Sequence, residues 1–323
     1  MIANSGEYRK KNGQRGCVMM NNFIFENKTK VYFGKGGVKE CLGGLLANFG
    51  ETVMLAYGGG SIKCNGVYDE IMGILNAQGK CVVEFSGIMS NPTYAKVQDG
   101  AKLARGNHVD LILAVGGGSV SDCCKVTSGA FDTLSHAMET YFGKPDENNL
   151  SDDINEAVMR SVIRNIRILL TDPENYDARS ELAQASAMAE NGVLKIGKVT
   201  DFQAHQIEHQ LGAYTNCNHG AGLAVIHPVL YRHIYKSGAA RFARFAQNVW
   251  GIAPKGSDEE TAVAGIDALA AFIKEIGLPT SFAELGIPAD TDFRAIADST
   301  NVTAGCCKKL THDEIYEILQ ECL

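Results

Sequence analysis

The sequence predicts a two-domain α/β protein: a parallel sheet covered by helices, followed by an all-helical domain. In the first part of the chain, strand-like apolar runs alternate with helical stretches, and two of the runs end in glycine-rich turns. After residue 131 the strand patterns stop, and the long apolar segments all have a helical period. Strands that alternate with helices form βαβ units, which build a parallel sheet with helices on both faces.

The composition is that of a globular protein and excludes several classes of partner. The chain has 323 residues, of which 45% are hydrophobic and 21% charged, enough for two cores. A net charge of −7 argues against non-specific nucleic-acid binding. No apolar run approaches the roughly 18 residues of a membrane span. No secretion signal is recognised, so we expect a cytoplasmic protein whose ten cysteines are reduced.

The pattern divides the chain into three parts. Residues 1–20 are polar and are expected to be a disordered extension. The α/β domain is predicted over residues 21–130, with helices at 38–48 and 91–105 and strands at 29–33, 52–56, 81–85 and 110–115. The helical domain is predicted over residues 131–323, with helices at 154–170, 181–195, 199–211, 223–235, 239–249, 259–276 and 312–323.

The two glycine-rich turns indicate a nucleotide site. Residues 57–61 (Tyr-Gly-Gly-Gly-Ser) and 116–119 (Gly-Gly-Gly-Ser) each follow a predicted strand. Backbone N–H groups in such turns bind phosphates, and the dipole of the following helix favours the anion. Neither turn is the G-x-G-x-x-G fingerprint, so a tight turn without a ligand is the alternative for either one alone. No acidic residue ends the strand before the first turn, and Ser61 and Lys63 follow it, which favours NADP over NAD.

Two pairs of metal-binding side chains occur at helical spacing. Asp132 and His136 are four residues apart, as are His205 and His209, and His219 follows after a short interval. Residues four apart lie on one face of a helix. A single histidine is usually an ordinary packed residue, but one carboxylate with several imidazoles suits a borderline divalent cation such as Zn²⁺ or Fe²⁺. The combination predicts a metal centre.

Together these segments resemble the iron-containing alcohol dehydrogenases, in particular their NADP-preferring, butanol dehydrogenase-like branch. Residues 57–69 are similar to that branch's first cofactor loop and residues 115–125 to its second. The resemblance implies that His209 takes part in proton relay to the alcohol oxygen. It also implies the ligands of the metal, for which Fe²⁺ is expected first and Zn²⁺ second: Asp132, His136, His205 and His219.

The resemblance further implies the reaction and the cofactor contacts. A hydride would pass between NADP(H) and a primary alcohol or aldehyde, in a homodimer that needs no nucleic acid or membrane. Ser119 and Asp122 would lie near the nicotinamide. The expected cofactor-binding residues are Gly58, Gly59, Ser61, Gly117, Gly118, Ser119 and Asp122.

One departure from the family's pattern concerns the end of the first domain. Only residues 126–130 separate Lys125 from Phe131, where members of the family have several dozen residues that include further strands. The dinucleotide-binding domain is therefore predicted to be incomplete. This leaves two alternatives to an active reductase: a catalytically inactive metal-binding remnant, and a metal-dependent lyase of the dehydroquinate-synthase type.

Overall fold

The computed structural model describes residues 23–88, 94–116, 123–144 and 148–323. The expected extension, residues 1–20, lies outside the described residues, as do Gly117, Gly118, Ser119 and Asp122. The chain forms two compact units, one of residues 27–126 and one of residues 127–323 with the short piece before Asn27. Each unit is described by itself.

The first unit is built on a three-stranded parallel sheet of order β2-β1-β3. The strands are β1 Thr52–Tyr57, β2 Cys81–Phe85 and β3 Leu111–Val115. Because β1 is central, it carries the core residues Val53, Leu55 and Tyr57, which pack with side chains of the neighbouring helices. The described helices of this unit are α1 Gly37–Leu46, α2 Ser61–Cys64, α3 Val67–Ala77 and α4 Tyr94–Gly106.

The predicted strand at residues 29–33 is wrong. Its alternation of polar and apolar residues is typical of a strand, but the structure gives the segment no regular secondary structure. A strand exists only when its backbone pairs with a neighbour, and none of the described strands pairs with this segment. Val31, Tyr32 and Phe33 are 71%, 50% and 62% exposed. The other predicted strands agree with β1, β2 and β3 to within one residue at each end.

The second unit is helical in its described part, as predicted, and none of its described helices is both long and apolar enough to span a membrane. Short 3₁₀ turns cover Val193–Lys195 and Tyr235–Gly238. The helices are α5 Cys123–Tyr141, α6 Leu150–Thr171, α7 Tyr176–Glu190, α8 Gln203–Thr215, α9 His219–Ile234, α10 Ala239–Trp250, α11 Asp258–Glu275, α12 Phe293–Ser299 and α13 His312–Glu321.

Capping explains where the boundaries differ from the prediction. The helix α6 begins four residues early because Asn149 and Asp152 form a capping box. The predicted helix 181–195 ends instead at Glu190, because Gly192 takes a left-handed conformation (φ 87°) and a 3₁₀ turn follows. The seven-residue α12 has too short a pattern to stand out from the sequence, and it was not predicted.

The core around the end of α5 combines aromatic packing with a buried ion cluster. Phe142 stacks on Phe242, with ring centroids 4.1 Å apart. The carboxylate of Asp152 is fully buried and contacts both Lys198 and, at 3.0 Å, Arg241. Charges removed from water must be paired in this way to be tolerated. Lys198 and Arg241 also donate hydrogen bonds to the backbone carbonyl of Tyr141, so these contacts hold the end of α5, the helix that carries the first two predicted metal ligands.

Candidate metal centre and cofactor loop

Three helices bring the four predicted metal ligands together. Asp132 and His136 lie on α5, His205 on α8, and His219 is the first residue of α9. The Oδ1 atom of Asp132 is 3.6 Å from Nε2 of His136, 3.3 Å from Nε2 of His205 and 3.5 Å from Nε2 of His219. One carboxylate oxygen therefore faces the same nitrogen of three imidazoles.

Two buried glutamates orient two of these imidazoles. Glu139 contacts Nδ1 of His205, and Glu208 contacts Nδ1 of His219. Glu139 also accepts the backbone N–H of Ala204 at 2.6 Å. A carboxylate that accepts a proton at Nδ1 leaves the lone pair of Nε2 free to bind a metal, and such outer partners fix the ring orientation. Sequence reasoning missed both glutamates, although each follows a predicted ligand by three residues on the same helix face.

The residues fit a divalent cation. Asp132 Oδ1 is buried and has no hydrogen-bond partner within the described part of the chain, and such an atom is costly unless something satisfies it. Donors that bind one ion at about 2.0–2.2 Å are separated by about 3.0–3.5 Å. The spacings around Asp132, and the 3.1 Å between Nε2 of His136 and Nε2 of His205, are close to that range.

The charges of the cluster depend strongly on one another. Burial alone would raise the pKa of Asp132, but the imidazoles of His205 and His219 lower it overall. Burial lowers the pKa of His205, yet the carboxylates of Glu139 and Asp132 raise it to about 9. The pKa of His219 rises to about 10 through Asp132 and Glu208, again against burial. Without metal the cluster therefore holds protons, which a cation would displace on binding.

Two unusual backbone features shape the site. Phe202, just before α8, has a left-handed conformation (φ 55°), which is rare for a bulky residue and is found at functional sites. Its ring lies 5.2 Å from that of His136 and 5.0 Å from that of His205. Gly220 lets α9 approach α5, because a Cβ there would lie 2.2 Å from the carbonyl oxygen of Ser128. This approach places His219 beside Asp132.

His209 lies next to the cluster, and it is exposed. Its ring stacks on that of His219 at 5.4 Å between centroids. Burial, followed by the charges of His219 and His205, lowers the pKa of His209. Glu208, His209 and His219 could also hold a cation, but the Glu208 carboxylate already contacts His219 at Nδ1. The set around Asp132 is therefore the better metal site.

The first glycine turn lies at the carboxyl end of β1 in the other unit. Gly58 makes a close turn there, because a Cβ would lie 3.1 Å from the carbonyl oxygen of Ile88. Gly59 follows, and Ser61 begins α2. In open parallel sheets, ligands bind beyond the carboxyl ends of the strands. The predicted residues of the first turn are therefore in the region where a nucleotide binds.

A charged network borders this turn, and the sequence did not reveal it. Glu84, near the end of β2, accepts hydrogen bonds from the hydroxyls of Tyr57 (2.5 Å) and Tyr68 (2.6 Å). Lys63 Nζ lies 3.6 Å from Glu84 Oε2 and 4.4 Å from the centroid of the Tyr68 ring. The two tyrosine hydroxyls lower the pKa of Glu84. The only sequence signal for this network is the position of Glu84, an acidic residue near the end of the strand that follows the glycine turn.

Comparison with known proteins decides the family. Residues 126–323 match the model of the Fe-containing alcohol dehydrogenase family, C-terminal, and residues 28–156 match the model of the iron-containing alcohol dehydrogenases. The chain belongs to the iron-containing alcohol dehydrogenase family. Membership gives it the function of an alcohol dehydrogenase or aldehyde reductase, with a nicotinamide cofactor and an iron or other divalent metal.

Relatives of this iron-containing alcohol dehydrogenase use either nicotinamide cofactor. A probable NADH-dependent butanol dehydrogenase of Bacillus subtilis is 30% identical over 392 residues, covering 94% of this chain and all of the relative. An NADPH-dependent aldehyde reductase of Escherichia coli is 27% identical over 355 residues, covering 83% of this chain and 90% of the relative. The Bacillus alignment is longer than this chain of 323 residues, so that relative has residues without a counterpart here.

Solved structures agree with this placement. The crystal structure of an NADH-dependent butanol dehydrogenase from Thermotoga maritima superposes with a TM-score of 0.88 and 27% identity, covering 94% of this chain and 99% of the other. The fold class predicted from the sequence, a shortened parallel sheet followed by a helical region, is thereby confirmed.

The pKa of Asp201 yields a prediction about stability. Burial and the charge of Glu139 raise this pKa from 3.8 to about 7. Between these values the unfolded chain has lost the proton and the folded chain has kept it, so stability falls as pH rises from about 4 to about 7. This one group costs at most about 4 kcal/mol across that window. Between pH 5 and pH 8, which covers the upper two thirds of this window, the advantage of Asp201→Asn over the wild type should grow by roughly 2.5 kcal/mol, measured by urea unfolding of metal-free protein.

Loss of the hydrogen bond from Cys307 N to Asp201 Oδ2 adds an offset that does not depend on pH. The change with pH is therefore the quantity to compare. A difference between the two proteins that stays constant from pH 5 to pH 8 would contradict the raised pKa.

Proposed function

We propose that this chain reduces primary aldehydes such as butanal to alcohols, with NADPH as the hydride donor and a divalent metal held by Asp132, His136, His205 and His219. One observation carries the proposal: the buried Asp132 oxygen lies 3.3–3.6 Å from Nε2 of the three histidines. Fe²⁺ is the proposed ion, and Zn²⁺ suits the same donors.

Each group has a distinct part in the reaction. A bound divalent metal supplies Lewis-acid polarisation of the substrate oxygen, and the nicotinamide carries the hydride. Glu139 and Glu208 hold His205 and His219 with Nε2 facing the centre. Phe202, whose ring packs against His136 and His205, forms an apolar wall there. This wall limits the access of water to the donors.

His209 is proposed to transfer the proton. Its lowered pKa keeps the imidazole neutral near pH 7, so it can both accept and release a proton. Its ring packs on His219 at the centre while the residue remains exposed. This position suits a relay between the substrate oxygen and water.

The test of the activity is the loss of NADPH absorbance with butanal by the metal-loaded chain. We expect turnover in the wild type. Asp132→Asn and His205→Ala should lose roughly 10³-fold or more, because Lewis-acid catalysis contributes several kcal/mol. His233→Ala is the matched control, since His233 lies on the same helix as His219 but contacts Glu321 instead.

A second candidate function is a metal-binding remnant without catalysis, and the shortened first unit favours it. In the described residues its sheet has only three strands. If the chain retains metal but does not bind NADPH, it is such a remnant and not a reductase. Turnover of a sugar phosphate without net NADPH loss would instead support a lyase of the dehydroquinate-synthase type.

The preference for NADPH is proposed to depend on Lys63. Its ammonium group lies beside the first glycine turn, where it could contact a ribose 2′-phosphate. Glu84 weakens this preference, because its carboxylate lies 3.6 Å from Lys63 Nζ and would repel a phosphate. The network therefore predicts a moderate selectivity for NADPH rather than exclusion of NADH.

Substituting Lys63→Met should weaken NADPH binding about tenfold, the loss of roughly 1.4 kcal/mol, and leave NADH binding unchanged. Fluorescence titration of both nucleotides measures the two dissociation constants. Lys80→Met is the control, because Lys80 contacts the carbonyls of Phe49 and Gly50 at the opposite edge of the sheet. An equal loss for NADPH and NADH would show that Lys63 does not read the 2′-phosphate.

We further propose a homodimer in the cytoplasm. Cys41, Cys64, Cys81, Cys306 and Cys322 are free thiols, as expected in a reducing compartment. Large apolar side chains are exposed in one segment of the first unit, which is typical of an interaction surface: Val31, Tyr32 and Phe33. Light scattering should give about twice the chain mass of 34.7 kDa. A mass of one chain at all concentrations would contradict the dimer.

A further inference from the structure

A second carboxylate lies against the candidate metal centre. Glu190 is the last residue of α7, a helix that carries none of the predicted ligands. Its Oε1 atom is 2.8 Å from Nε2 of His136. This nitrogen is the one that faces Asp132, so Glu190 approaches the metal-binding side of the imidazole.

The distance between Glu190 and His136 is that of two donors to one ion. Two donors that each lie about 2.1 Å from one ion are about 3.0 Å apart in an octahedral site and about 3.4 Å apart in a tetrahedral one. From Nε2 of His136, the distances are 2.8 Å to Glu190, 3.1 Å to His205 and 3.6 Å to Asp132. Glu190 is thus as close to Nε2 of His136 as the other residues assigned to the centre are.

Charge supports the same assignment. Three neutral imidazoles and Asp132 give a divalent cation only one compensating negative charge. Glu190 supplies the second, so the five donors by themselves balance the charge of a divalent cation, while Glu139 and Glu208 lie behind the imidazoles at Nδ1. Its side chain is 52% exposed, whereas that of His205 is 3% exposed. Glu190 therefore lies on the solvent side of the donor set, where ligands exchange.

We propose that Glu190 is a fifth protein ligand of the metal centre, an exchangeable one on the solvent-exposed side of the donor set. This proposal rests on the metal site of the proposed function. It explains which ions the chain should prefer. Four donors complete the tetrahedron that Zn²⁺ favours. A fifth donor, here a carboxylate oxygen, suits ions of higher coordination number such as Mn²⁺ and Fe²⁺.

The experiment measures the affinities of the full chain for Mn²⁺ and Zn²⁺ by competition with a chelator. Glu190→Gln should weaken Mn²⁺ binding by about 10–100-fold and Zn²⁺ binding by much less. Glu181→Gln is the matched control, since Glu181 lies on the same helix with the same 52% exposure but pairs with Arg164. The Co²⁺-loaded wild type should show the weak visible absorption of a five- or six-coordinate ion, and Glu190→Gln the stronger absorption of a tetrahedral one.

Two further variants separate the possible failures. Glu190→Asp keeps the charge on a shorter side chain and should bind Mn²⁺ with intermediate affinity. Asp132→Asn should lose both metals; if it binds them as the wild type does, the metal site of the proposed function is wrong. If Asp132→Asn loses metal while Glu190→Gln keeps the wild-type Mn²⁺ affinity and Co²⁺ spectrum, Glu190 is not a ligand. Thermal unfolding of the metal-free proteins checks that each variant folds.

Discussion

The organising constraint of the helical unit is the carboxylate of Asp132, which is half-buried and whose Oδ1 atom is fully buried. One of its oxygens faces Nε2 of three histidines that come from three helices. A buried charge of this kind is tolerated only if its surroundings compensate it. The helices must therefore meet at one point, and each is held there by a contact outside the donor set. Glu139 ties α8 to α5, and Gly220 lets α9 approach α5 closely.

The charges of the metal site are compensated even when no metal is bound. Protons shared between the imidazoles and the carboxylates keep the cluster from being a bare accumulation of negative charge, as the raised pKa values of His205 and His219 indicate. Glu139 and Glu208 thus act in both states: they hold protonated imidazoles without metal, and they fix the tautomer when a cation replaces the protons. Metal binding should for this reason become stronger as pH rises.

The sequence revealed the features that depend on local periodicity. Asp132 with His136, and His205 with His209, were found because four-residue spacing defines one helix face. Glu190 and Glu84 could not be found this way, because tertiary packing alone brings them to His136 and to Lys63. The strand predicted at residues 29–33 was wrong for a related reason. Alternation of polar and apolar residues describes the two faces of a strand, but the local sequence does not specify a partner strand. The left-handed Phe202 has no sequence signal either.

The shortened first unit affects the two halves of the chemistry unequally. The donors around Asp132, the glutamates that orient them and the proposed fifth ligand, Glu190, all come from residues 127–323. Shortening the other unit removes none of them. The nucleotide site, in contrast, depends on turns at the carboxyl edge of a small sheet, where β1 alone is flanked by strands on both sides. Metal binding should therefore survive a defect in cofactor binding, and the affinity for NADPH separates a reductase from a remnant.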